Sequence, residues 1–155
     1  MNKNILVKII SYPLLFIGFV MVILGLRWMI VDYPWMLDKI ANEERLGYSF
    51  SSLFESVGSI NLQGYLEQIY RFFGFWVLLI GLFLINFSMP SMIINIQIRN
   101  RILFLVGIML IFGLYLGYIW IPNSHFIVLT WILFIVYLFS LFGMIKLTYE
   151  NKERY

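Results

Sequence analysis

The stretch that decides the fold runs from Gly64 to Phe87, "GYLEQIYRFFGFWVLLIGLFLINF". After Arg71 it contains no charged residue, and it is long enough to cross the ~30 Å hydrocarbon core of a bilayer, which takes about 20 residues at ~1.5 Å each. Two charges, Glu67 and Arg71, stand at its mouth. Within it, "FFGFWVLLIGL" (Phe72 to Leu82) echoes "FIGFVMVILGL" (Phe16 to Leu26).

Three further runs have the same character. They are Ile5–Ile30, "ILVKIISYPLLFIGFVMVILGLRWMI"; Ile102–Ile121, "ILFLVGIMLIFGLYLGYIWI"; and Phe126–Leu147, "FIVLTWILFIVYLFSLFGMIKL". With about residues 66–87 they make four expected spans. Only helices satisfy their own backbone in lipid. The expected fold is therefore an all-α membrane protein: one four-helix transmembrane bundle over residues 1–155, with a long, partly helical outer loop at residues 31–65. Composition agrees, at 62% hydrophobic and 12% charged. A soluble domain is nearer half apolar and a quarter charged. No small-residue cleavage site follows the first run, so it is expected to be retained as a span.

Lys and Arg mark the cytoplasmic side of a membrane protein. Lys3 and Lys8 precede or open the first span. Arg99 and Arg101 lie in "SMPSMIINIQIRNR", between the second and third spans, and Lys146, Lys152 and Arg154 close the chain. The turn "PNSH" before the fourth span has no Lys or Arg. Basic residues thus alternate with the crossings, and both termini are expected in the cytoplasm. Trp28, Trp35, Trp120 and Trp131 fall near the opposite interface, where aromatic rings favour the headgroup level. Heavy use of Ile, Lys and Asn points to an AT-rich genome, so a bacterial inner membrane is the expected setting.

The net charge of +3 is spread over segment ends, which argues for membrane orientation and against nucleic acid as a partner. The chain has no cysteine and one histidine, His125. This excludes disulfides, thiolate catalysis, iron–sulfur clusters and bis-histidine haem within one chain. No phosphate loop, G-x-S-x-G or H-E-x-x-H pattern is present. No metal, cofactor or catalytic residue is expected.

In the outer loop, "YPWMLDKIANEERLG" reads as a short amphipathic helix. Pro34 suits its first turn and Gly47 its stop, with Trp35, Met36, Ile40 and Leu46 on its apolar side. "SFSSLFESVGSI" carries Phe50, Leu53, Phe54, Val57 and Ile60 at roughly helical spacing. These segments either rest on the outer leaflet or cap a cavity among the helices. The glycines of the echo, Gly18 and Gly25 against Gly74 and Gly81, share a spacing that places each pair on one helix face. Close helix packing explains them; internal duplication, as in transporters, is the alternative. Tyr12-Pro13 is expected to kink the first span. Thr130 and Ser140 can bond their own helix backbone, and Asn86 and Ser88 suit a helix end.

The charges at the outer edge form the candidate site. Glu67 and Arg71 are one helical turn apart. Arg27 ends the first span with Asp32 just beyond, and His125 opens the fourth. If the second span starts at Leu66, Arg71 lies about 7 Å inside the boundary at ~1.5 Å per residue. Ionisable residues at such depth are either anchors that snorkel to the headgroups or members of a site. Arg71, Glu67, Arg27, Asp32 and His125 are the ligand-binding candidates. His125 can exchange protons near neutral pH, and it can equally be a solvated turn residue.

The four-span layout with its long first outer loop, together with Tyr70, Arg71, Gly74 and Gly81 at the start of the second span, resembles the DoxX-like group of small four-helix membrane proteins. That resemblance implies a four-helix fold. Many members have no assigned activity, and some are linked to membrane redox or sulfur metabolism; a thiol-dependent role does not suit a chain without cysteine. From the residues, the leading expectation is a small integral membrane protein without conventional catalysis. It would bind a lipid-like or amphipathic ligand at the outer edge, or serve as an accessory subunit with protein partners in a membrane complex or homo-oligomer. The alternative is an enzyme or redox accessory acting on a quinone- or sterol-like molecule. A homo-oligomeric transporter ranks lower, because the charges keep to the edges of the spans.

Overall fold

The computed structural model describes residues 3–56 and 61–152. Val57, Ile60 and Arg154, named above, lie outside them. In chain order the elements are α1 (Lys3–Ile30), a 3₁₀ helix (Pro34–Asp38), α2 (Lys39–Leu46), α3 (Phe50–Glu55), α4 (Leu62–Phe87), α5 (Pro90–Ile93), α6 (Ile96–Trp120) and α7 (His125–Lys152). No strand occurs among the described residues. The four long helices α1, α4, α6 and α7 are each long and apolar enough to cross a membrane. The protein is an all-α four-helix membrane bundle.

The helices extend past the limits read from hydropathy. The largest difference is α6, which starts at Ile96 rather than near Ile102. The Asn95 side chain fixes that start by accepting from the backbone N–H of Gln97 (2.9 Å) and Ile98 (3.4 Å). Such capping satisfies N–H groups that have no partner within the helix. Arg99 and Arg101 therefore belong to a helix and not to a connection.

Helix α1 is the centre of the fold. It packs against α4 on one side and α7 on the other, α7 packs against α6, and α4 and α6 barely touch. The contact between α1 and α4 is made by the glycines of the echo. A Cβ on Gly25 would lie 2.6 Å from the Gly74 carbonyl oxygen, and one on Gly74 2.8 Å from that of Gly25. Gly81 stands against Gly18 in the same way, at 2.8 Å from its carbonyl oxygen. Helices running in opposite directions meet in reverse order, so the equal spacing of the two pairs brings both into register. On the other side of α1, a Cβ on Gly143 would meet Ile10 Cγ1 at 2.9 Å.

Hydroxyl groups add cross-links within the membrane-spanning region. Ser140 Oγ donates to the Ile10 carbonyl at 2.8 Å, bonding α1 and not its own helix. Ser11 Oγ donates to the carbonyl of Ser88 at the end of α4. Tyr137 Oη donates to the Leu103 carbonyl at 2.7 Å, and Gly107 leaves room for the tyrosine ring. Thr130 bonds its own helix at Phe126, and Asn86 bonds its own at Leu82. Helix α1 runs on through Pro13.

The outward surfaces are apolar; Phe83 and Leu105, for example, are each 62% exposed. In water this would drive aggregation. Against lipid it is the expected surface, because the tails are as apolar as the side chains.

Adding a methyl group at Gly25 is expected to push α1 and α4 apart, since Leu78 N would lie 2.5 Å from it. Gly25→Ala should lower stability by about 1–3 kcal/mol, the usual cost of overpacking. Gly64→Ala, with nothing within 4 Å, should be neutral or slightly stabilising. Unfolding in mixed micelles of a mild detergent and dodecyl sulfate measures both. Equal stability of Gly25→Ala and the parent would refute the close approach.

Candidate functional site

The connections α1–α4 and α6–α7 emerge on one face of the bundle, the loop face. The start of α1, the end of α7 and the α4–α6 connection lie on the other, the terminal face.

The segment between α1 and α4 folds as a cap on the loop face. Its first part, residues 33–47, does not form the single amphipathic helix expected. It breaks between Asp38 and Lys39, where the tighter 3₁₀ turn gives way to α2. Three residues per turn become 3.6 at that point, so the inward face changes. Trp35 is 2% exposed and Ala41 is also buried, whereas Met36 and Ile40 face outward and Leu46 is partly exposed. Trp35 anchors the cap through edge contacts with Tyr33 (5.6 Å) and Phe54 (5.7 Å). Gly47 ends α2 in the left-handed conformation, φ 73°, as expected for a helix stop. The Glu43 carboxylate accepts from Phe50 N–H at 2.8 Å and so joins α2 to α3.

Polar side chains then tie the cap to the bundle. Asp38 accepts from Ser124 Oγ and lies 3.1 Å from His125 Nδ1. Ser124 Oγ in turn accepts from Phe126 N–H, which makes it the cap of α7. A carboxylate beside a helix N-terminus is favourable. Asn123 donates to Glu44 at 2.6 Å, and the Arg45 guanidinium sits over the Trp120 ring at 5.0 Å. Asn42 donates both to the Trp35 carbonyl and to Tyr70 Oη, each at 3.1 Å. Beneath these bonds Trp28 packs on Phe73 and Phe126, joining α1, α4 and α7.

The five candidate residues do not form one cluster. Arg71 and Glu67 pair on α4. His125 pairs with Asp38, which the sequence reading did not single out. Arg27 and Asp32 are exposed, and among the described residues neither forms an ion pair. Arg71 lies about 24 Å along α4 from Phe87, or roughly 6 Å inside a core of about 30 Å. The pair with Glu67 reduces the cost of that depth.

Between α2, α3 and the loop-face end of α4 lies a cavity of about 360 Å³. Leu46, Phe50 and Leu66 contribute apolar wall; Asn42, Arg45 and Tyr70 contribute polar groups. Leu66 and Tyr70 are one turn apart and share a face of α4. Glu67 and Arg71 follow each of them by one residue, so their pair runs along the adjacent stripe. Asn42 and Tyr70 carry no sequence motif, and only the folded cap brings them together. Ser124 could have been read as a helix cap from its place before "HFIVLTW".

No protein family, curated protein or solved structure matches this chain. Among the described residues there is no group of three or more His, Asp or Glu side chains able to hold a metal.

Asp38 is expected to hold the cap on the bundle. Asp38→Ala would leave the O–H of Ser124, which is 3% exposed, without its acceptor and should cost about 1–3 kcal/mol. Amide exchange over residues 34–55 should speed up with it. Lys39→Ala removes an exposed 3.8 Å pair with Glu43 and should change stability by less than about 1 kcal/mol. Unchanged exchange in Asp38→Ala would show that the apolar contacts alone retain the cap.

Proposed function

We propose that this small integral membrane protein binds an amphipathic, lipid-like ligand beneath the cap on its loop face. One observation carries the reading: the cavity of about 360 Å³ between the cap and α4, lined mostly by apolar side chains, with Asn42, Arg45 and Tyr70 as its polar groups. Its size falls within the range of small-molecule sites, about 300–1,000 Å³. An apolar tail would lie against Leu46, Phe50 and Leu66. A polar head would meet Asn42 and Arg45, with the Glu67–Arg71 pair beside it at the membrane edge. Arginine suits carboxylate or phosphate heads because its donors are planar and forked. Presentation of such a ligand to a partner subunit fits a chain with no catalytic constellation in its sequence. The layout and the Tyr70, Arg71, Gly74 and Gly81 positions keep the DoxX-like group as the proposed kinship.

We further infer that the terminal face is cytoplasmic and that the membrane is a bacterial inner membrane. Lys3, Lys8, Arg101 and Lys146 lie towards that face, in keeping with the rule that basic residues stay inside. The native chain has no cysteine, so single cysteines report topology directly. A membrane-impermeant maleimide added to whole cells is expected to label Ser51→Cys and not Lys3→Cys. The reverse pattern would invert the orientation.

Native mass spectrometry of the protein released from its own membrane tests the ligand. The parent chain is expected to carry one extra small mass. Leu66→Trp, which fills the cavity, and Arg71→Ala should both lose it at unchanged membrane abundance. Retention by both variants would refute the site. Loss accompanied by a collapse in abundance of both would make the region structural.

A further inference from the structure

On the terminal face, Arg99 is 3% exposed. Its Nη1 donates to the Ile93 carbonyl of α5 at 3.3 Å, while its Nε is buried with no partner. Among the described residues no carboxylate lies within ion-pair distance of it. A buried charge is costly unless it is paired and hydrogen-bonded. The position adds to the imbalance. Arg99 is in the first turn of α6, a turn with no acidic residue, where the helix dipole is positive and favours an anion over a cation. At the end of α4, Ser88 Oγ is likewise buried and unpartnered.

Beside these groups lies an apolar groove. Because α4 and α6 barely touch, a space of about 340 Å³ opens between them, lined by residues such as Ile80, Phe83, Phe87, Ile102, Leu105 and Met109. The groove reaches Phe87, one residue before Ser88, and Ile102, three residues after Arg99. Arg99 therefore lies about 4.5 Å beyond the groove's end, at ~1.5 Å per residue.

From this juxtaposition we propose that the α4–α6 groove and Arg99 bind an anionic phospholipid of the leaflet on the terminal face, with one acyl chain in the groove and its phosphate on the guanidinium. The phosphate takes up the Nε donor and Ser88 Oγ, and it supplies the negative charge that α6 lacks. Arginine and phosphate match as a charge-assisted, forked pair. A free anion would leave the apolar groove unexplained, and a zwitterionic lipid would bring its own ammonium close to the guanidinium. The single turn of α5 must shift to admit the headgroup, since Arg99 now lies against it. This site is separate from the cavity under the cap and does not depend on it.

The test is lipid competition read by native mass spectrometry in a neutral detergent. Dioleoyl phosphatidylglycerol, dioleoyl phosphatidylcholine and inorganic phosphate are each added to the full chain. The parent is expected to favour phosphatidylglycerol over phosphatidylcholine by on the order of tenfold, because the choline ammonium of the latter opposes the guanidinium. Arg99→Gln should lose the preference and Arg101→Gln, an exposed neighbour, should keep it. Leu105→Trp fills the groove from its lipid-facing side and should lose bound phosphatidylglycerol while the fold stands; it decides the matter if Arg99→Gln does not fold. Equal retention of both lipids by the parent, a preference that survives Arg99→Gln or Leu105→Trp, or full displacement by inorganic phosphate would each overturn the proposal.

Discussion

The approach of α1 and α4 at Gly18–Gly81 and Gly25–Gly74 sets the rest of the arrangement. In lipid there is no hydrophobic drive to bring helices together, so close backbone packing must supply much of it. Two glycine pairs draw α4 onto one side of α1. Gly143 and the Ser140–Ile10 bond then bring α7 onto the other, and α6 follows α7. With α1 occupied on both sides, α4 and α6 are kept apart, and the groove between them is a consequence of the order of packing.

The two faces of the bundle treat charge differently. On the loop face, several charges meet partners, though among the described residues Arg27 and Asp32 do not: Asp38 with Ser124 and His125, Glu67 with Arg71, Glu44 with Asn123, and Arg45 with the Trp120 ring. These bonds hold the cap as an ordered part of the protein, with Trp35 enclosed beneath. On the terminal face, Arg99 is enclosed by the fold with a backbone carbonyl as its acceptor. Paired charges are suited to holding a structure in place. A face with a buried cation that has no carboxylate partner among the described residues, at the end of an apolar groove, is suited to recruiting a lipid of opposite charge.

The repeated "FIGFVMVILGL" and "FFGFWVLLIGL" show how a sequence pattern can have more than one origin. Equal glycine spacing is what a duplicated unit would show. It is also what two antiparallel helices need if each glycine of one is to meet a glycine of the other. The reciprocal contacts give the spacing a physical cause in packing, and the resemblance of the flanking bulky residues follows from their common exposure to lipid.

The sequence by itself determined the four spans, their alternation and the placement of charges at their ends, because hydropathy and the length of a helix across a bilayer are local properties. It also showed the glycine faces, the Gly47 stop and the i,i+4 pairing of Glu67 with Arg71. It did not show that Asp38 would take His125 and Ser124, that Asn42 would reach Tyr70, or that the cap would turn its face at Lys39. Those depend on how a segment of some thirty residues lies over helices distant in the chain. Arg99 is the clearest case. In the sequence it reads as one more basic residue at a membrane edge. Only the helix cap at Asn95, the packing of α5 against α1 and the separation of α4 from α6 decide that it is buried, without a carboxylate partner among the described residues, and placed at the end of a groove.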